Sequence, residues 1–137
     1  MKRLSKSERE TLRNKFGGRC AYCGNPLPAL WHADHLKPVE RKLANIKGKG
    51  FVATGELYRP ENDNMENLMP ACPPCNISKH SMNLEAWRKW IAGHVASLNS
   101  YHPIYSMAKA YGLIYETGAA VIFYFESVEA NSAKDQL

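Results

Sequence analysis

Four cysteines stand in two short pairs, Cys20-Ala21-Tyr22-Cys23 and Cys72-Pro73-Pro74-Cys75. A Cys-x-x-Cys turn delivers two sulfurs to one side of a metal, and structural Zn2+ prefers four tetrahedral thiolates. The chain has no other cysteine, and neither pair sits in the βαβ pattern of a redox motif. The expectation is one closed zinc site that ties together segments 48 residues apart and does no chemistry of its own. Near the pairs lie residues suited to acid–base and hard-metal chemistry: Asp34-His35, Asn67, Asn76, Lys79 and His80. A histidine with an ordinary pKa of about 6.5 can take a proton from water at neutral pH. Asp34 offers a carboxylate and Asn76 an amide oxygen, the hard donors that suit Mg2+ or Mn2+.

In order, the motifs read Cys-x-x-Cys, Asp34-His35-x-x-Pro38, Asn67-Leu68 and Cys72-x-x-Cys75-Asn76-x-x-Lys79. This ordered set resembles the HNH endonuclease family, in the branch whose ββα-metal fold is stapled by two Cys-x-x-Cys knuckles, over roughly residues 16–90. The resemblance implies a divalent-metal-dependent phosphodiester hydrolase that nicks DNA and leaves 3′-hydroxyl and 5′-phosphate ends. In that reading His35 activates the attacking water and Asn67 orients its imidazole by a hydrogen bond. Asp34 and Asn76 hold the catalytic Mg2+ or Mn2+, and His80, four residues beyond Asn76 on one helix face, is a further candidate ligand. Cys20, Cys23, Cys72 and Cys75 hold structural Zn2+. Lys37, Arg41, Lys42 and Lys79 are candidate phosphate contacts, with packing of its stem beside the knuckle as the alternative for Lys79, and His32 is a candidate partner behind the site or a phosphate contact. Two features depart from the pattern: Asn76 stands where the family name implies a third histidine, and the 36–66 spacer is long and lacks an adjacent Gly-Gly pair.

These residues need elements to position them. Ser5 to Phe16 reads as a helix, with capping-box pairs Ser5/Glu8 and Ser7/Glu10 at its start and Gly17-Gly18 at its end. Leu27 to His35 reads as a strand that ends on Asp34-His35. Leu36 to Glu66 reads as a long irregular loop with a basic run and a polar tract, Pro60-Glu61-Asn62-Asp63-Asn64. Asn67 to Ala71 reads as a short strand, and a helix starts near Asn76. Leu84, Trp87, Ile91, Val95 and Leu98 recur at helical spacing, Pro103 to Tyr111 reads as another helix, and Leu113 to Glu126 reads as a β-hairpin. The expected fold is α+β: a zinc-stapled ββα-metal (HNH) core with flanking helices and a C-terminal hairpin. The domain division is a nuclease domain over 1–98 and an appendage over 99–137.

The chain's 137 residues suit one domain or a domain with a short appendage. Its +5 charge is uneven: residues 1–50 carry 12 basic and 4 acidic side chains, whereas residues 51–137 carry 6 and 9. A basic front half suits a polyanion, most often nucleic acid, and the resemblance implies that this is DNA, double-stranded above all. No apolar run approaches the ~20 residues of a membrane span, and the charged N-terminus lacks an apolar leader. The expected place is the cytoplasm of a bacterial or phage-infected cell. The two-sided apolar pattern of 121–126 suggests core packing, with a homodimer or protein contact as its rival. The rival function is a non-catalytic zinc-stapled nucleic-acid-binding or inhibitory module.

Overall fold

The computed structural model describes residues 3–135. It is α+β, built of helices and two small antiparallel sheets. The chain forms two compact units. The larger comprises residues up to Asn83 together with Phe123 onward, and the smaller is Leu84–Ile122. The division therefore falls at Asn83 and again at Ile122, not after residue 98.

In the larger unit, α1 spans Lys6–Arg13 and continues as a 3-10 turn to Phe16. Ser5 caps it as its sequence predicts: Ser5 Oγ accepts from the Glu8 N–H at 3.1 Å, and the Ser5 N–H donates to Glu8 Oε1 at 3.0 Å. β1 (His32–His35) pairs antiparallel with β4 (Leu68–Ala71), in the register His32 to Ala71 and His35 to Leu68. α2 (Pro73–Lys79) follows β4 directly, with Pro73 in its first turn, where a missing N–H costs nothing. Every residue of β4 is buried. The strand of the site is thus four residues long, because Leu27 to Trp31 runs as irregular chain.

Between β1 and β4 the structure differs from the expected loop. Arg41–Ile46 (β2) and Gly50–Leu57 (β3) form a second antiparallel ribbon. No residue of either strand is buried. An apolar/polar alternation arises only when one face meets a core, so the sequence carries little trace of this ribbon.

The C-terminal hairpin is also corrected. Residues 113–123 hold no strand, and α6 spans Tyr124–Asp135. The alternation that suggested a strand has a different cause. The N–H groups of Tyr124 and Phe125 donate to the carbonyls of Tyr22 and Ala21 at 2.9 and 2.8 Å. Phe123 and Phe125 are buried there in an aromatic cluster with Tyr22 and Phe16, at ring separations of 5.8–6.4 Å. Burial inside their own unit removes both rings from any dimer surface.

In the smaller unit the expected long helix is broken. α3 spans Leu84–Ala92, Gly93 interrupts it, and α4 spans His94–Tyr101. α5 (Pro103–Ala110) follows, and Gly112, at φ +71°, lies just past its end. Glu116 gathers Asn99, Tyr105 and Lys109, and hydrogen bonds from Asn99 and Lys109 hold its carboxyl below the ordinary range. Among the described residues, no helix is long and apolar enough to cross a membrane.

Candidate metal centre and adjoining polar site

The four thiols converge. The Sγ atoms of Cys20, Cys23, Cys72 and Cys75 all lie within 4.8 Å of one another, and Cys23 Sγ is 3.7 Å from Cys72 Sγ. Zn–S bonds of about 2.3 Å at tetrahedral angles require sulfurs about 3.8 Å apart, so this donor set fits zinc. The local backbone prepares it. Gly24 N–H donates to the Cys20 carbonyl at 3.0 Å, closing the first knuckle, and Cys72 N–H points at Cys20 Sγ at 3.4 Å. The second pair is not a free turn: Cys72 is the N-cap of α2 and Cys75 lies in its first turn. Hydrogen bonding from Cys75, assisted by backbone N–H donors, lowers the Cys20 thiol to about 4, whereas burial raises Cys23 to about 11.

Gly24 shows how tightly this knuckle is sealed. It holds φ +78°, and a Cβ placed on it would sit 3.0 Å from Cδ2 of Tyr124. Gly24→Ala is expected to destabilise the protein by roughly 1–2 kcal/mol from the left-handed backbone alone, measurable as a lowered midpoint in urea.

Tyr22, inside the first knuckle, links the thiols to the polar site. Its hydroxyl donates to Asp34 Oδ2 at 2.5 Å, and Lys79 Nζ reaches the same oxygen at 3.0 Å. Lys79 also donates to the His35 carbonyl at 2.8 Å. Burial first, then the Asp34 charge, push the Tyr22 phenol far upward, so it remains a donor. Lys79 is only 1% exposed. It is thus an internal brace that ties α2 to the end of β1, and its burial corrects the expectation of a phosphate contact.

His35 presents its ring to Asp63: Nε2 lies 2.9 Å from Asp63 Oδ1. Asp63 was not singled out from the sequence, though it lies in the polar tract Pro60–Asn64. Asn67 differs from its expected role. Its amide Nδ2 donates to the carbonyls of Lys37 (2.8 Å) and Asn62 (2.7 Å), and its Oδ1 accepts from the Lys37 N–H (2.9 Å). It fixes the backbone on both sides of the His35–Asp63 pair, and the imidazole's partner is Asp63.

Asn76 is half-buried on α2. His80 has left the helix: it is the C-cap, exposed, with φ +53°, and its Nδ1 pairs with Ser81 Oγ at 3.1 Å. The shared helix face with Asn76 is therefore lost. Among the described residues, the four thiols form the one group of three or more His, Cys, Asp or Glu side chains gathered as a metal site. His32 is exposed and lines a cleft of about 560 Å3 with Arg3, Lys6, Arg9 and Trp31.

The basic residues divide into two kinds. Arg9 lies over the Trp31 ring and bonds its carbonyl, Lys15 bonds the carbonyls of Glu66 and Leu68, and Arg19 bonds that of Gly24. Lys42 is paired with Glu56 at 3.4 Å. Lys37 and Arg41 are exposed beside the site. No family model, no curated protein and no solved structure matches this chain.

Proposed function

We propose that this protein is a zinc-stapled, divalent-metal-dependent endonuclease of the HNH type that nicks DNA. The observation that carries the reading is the His35–Asp63 pair at the end of β1, beside a thiol cluster fit for zinc. The antiparallel pairing of β1 with β4, and α2 following β4 directly, support a ββα reading. Lys79 Nζ braces the strand end through the His35 carbonyl.

The chemistry follows from the tautomer that Asp63 selects. A neutral His35 that donates Nε2–H to the Asp63 carboxylate leaves its Nδ1 lone pair as proton acceptor. Nδ1 takes a proton from water, the water oxygen attacks phosphorus, and the 3′-oxygen leaves. Asp63 stabilises the imidazolium so formed, as a carboxylate does behind any histidine base. Asp34 and Asn76 are the oxygen donors that would hold Mg2+ or Mn2+, which when bound neutralises charge on the transferring phosphoryl group. Exposed Lys37 and Arg41 supply phosphate contacts.

One observation favours the rival, a non-catalytic nucleic-acid-binding module. Asp34 Oδ2 already receives the Lys79 ammonium and the Tyr22 hydroxyl, so part of its charge is spent internally. Supercoiled plasmid separates the two readings. With Mg2+ or Mn2+, His35→Ala is expected to slow nicking about 10²- to 10⁴-fold. Asp63→Asn is expected to slow it less. Wild type no faster than His35→Ala in either metal overturns the nuclease reading and leaves the binding module.

A further inference from the structure

The exposed ribbon β2–β3 is too well formed to be a spacer and too bare to be a core element. A two-stranded hairpin is marginal by itself in water, and this one buries no residue. Its register is nonetheless defined, with Asn45 opposite Phe51 and Ile46 opposite Gly50. The tip Lys47-Gly48-Lys49 is closed by the Lys49 N–H on the Ile46 carbonyl at 2.9 Å. Gly48 there holds φ +84°, a conformation only glycine takes cheaply. On one face Phe51 and Leu43 are 74% and 58% exposed. Residues 41–57 carry four basic side chains and one acidic. The acid, Glu56, is paired with Lys42, and the tip lysines have solvent as their surroundings.

The root of the ribbon meets the polar site. The backbone ladder continues inward through Tyr58 N–H on Glu40 carbonyl (2.8 Å) and Arg59 N–H on Val39 carbonyl (2.9 Å). The ladder therefore begins four residues after His35, at Val39, and ends four residues before Asp63, at Arg59. Asn67 clamps both sides of this root through Lys37 and Asn62. An eight-residue strand reaches about 27 Å, and the DNA major groove, about 12 Å wide, admits a two-stranded β-ribbon.

We infer that β2–β3 is an arm that lies in a groove of duplex DNA, with Lys47 and Lys49 on phosphates and the Phe51/Leu43 face against base edges. Its charge selects a polyanion, its apolar face an environment drier than phosphate alone. Its root delivers that polyanion to His35 and Asp63, which favours DNA over an anionic membrane. This deepens the nuclease reading by naming how its substrate is gripped, and it is tested by binding, without cleavage.

The experiment measures anisotropy of a labelled duplex against salt, using the full chain with His35→Ala so that nothing is cut. Adding Lys47→Ala and Lys49→Ala is expected to flatten the slope of log K against log salt by about 1.8, at 0.9 per phosphate contact. Phe51→Ser is expected to weaken binding roughly ten-fold, from lost apolar burial, at unchanged slope. Far-UV circular dichroism and zinc content should match the parent, because all three side chains are exposed. An unchanged slope in the double-lysine variant overturns the arm, whatever the nicking assay gives. Equal affinity for single strands, or binding to anionic vesicles without binding to duplex, overturns the groove assignment. A wild type that binds through the ribbon yet never nicks leaves this inference standing and removes the nuclease reading.

Discussion

Stripping the metal with a strong zinc chelator is expected to abolish the cooperative unfolding transition of the larger unit. Thiolate zinc sites contribute apparent free energies of about 10–16 kcal/mol, and a whole domain of this size is stable by only about 5–15 kcal/mol. The thiols join the first knuckle to the start of α2, so their release frees both ends of the 24–71 segment at once. The first knuckle also carries Tyr22 and the backbone on which residues 123–125 dock. Loss of the metal should therefore loosen the aromatic cluster as well. Metal analysis should give one zinc per chain, and Cys72→Ser should reduce it below one. A chelated protein with an unchanged melt by circular dichroism would remove zinc from the account of stability. Acid should act in the same direction, because each thiolate must be reprotonated for the metal to leave.

Replacing Lys79 with alanine is expected to cost about 3–5 kcal/mol. Removing one partner of a buried ion pair leaves the other charged and unpaired in a poor solvent. Here the abandoned group is Asp34, which retains only the Tyr22 hydroxyl on Oδ2, and the His35 carbonyl loses its donor too. The double change Asp34→Asn with Lys79→Met should recover much of the loss, since a buried pair is often nearly neutral against uncharged side chains of similar volume. Urea titration of the three variants gives the coupling directly. A Lys79→Ala protein within about 0.5 kcal/mol of wild type, the ordinary effect of a surface change, would show that the brace is not used in solution.

What the sequence disclosed depended on how each residue earns its place. The thiol pairs were legible because ligand type and spacing alone dictate them. The opening helix was legible because Ser5 and Glu8 form a local motif that needs no tertiary partner. β4 was legible as a short apolar strand, and α2 starts three residues earlier than expected because Pro73 suits a first turn. Lys79 stayed open between packing beside the knuckle and binding phosphate, because a long aliphatic stem with a charged end looks alike on a surface and in a core. The ribbon was missed because it has no core to imprint an alternation. Asp63 was hidden in a tract of polar residues, where only the fold distinguishes the one that meets His35. The pattern Val121, Phe123, Phe125 was genuine, yet it records docking onto a knuckle and not membership of a hairpin. The uneven charge was real also, but Arg9, Lys15 and Arg19 spend theirs on backbone carbonyls.

The docking of residues 123–125 onto the Cys20 knuckle sets an order on biosynthesis. Once Cys75 has left the ribosome, all four thiols are available to a metal. The rings that cover the knuckle, Phe123 and Phe125, emerge about fifty residues later. At 5–20 residues per second, that interval is on the order of 3–10 s. Throughout it, the nascent larger unit holds its metal ligands but lacks its aromatic cover, while the helices of the smaller unit are being made. The four thiols are thus together in the chain before their aromatic cover exists, and a chain truncated before Phe123 carries the ligands without the rings that cover them.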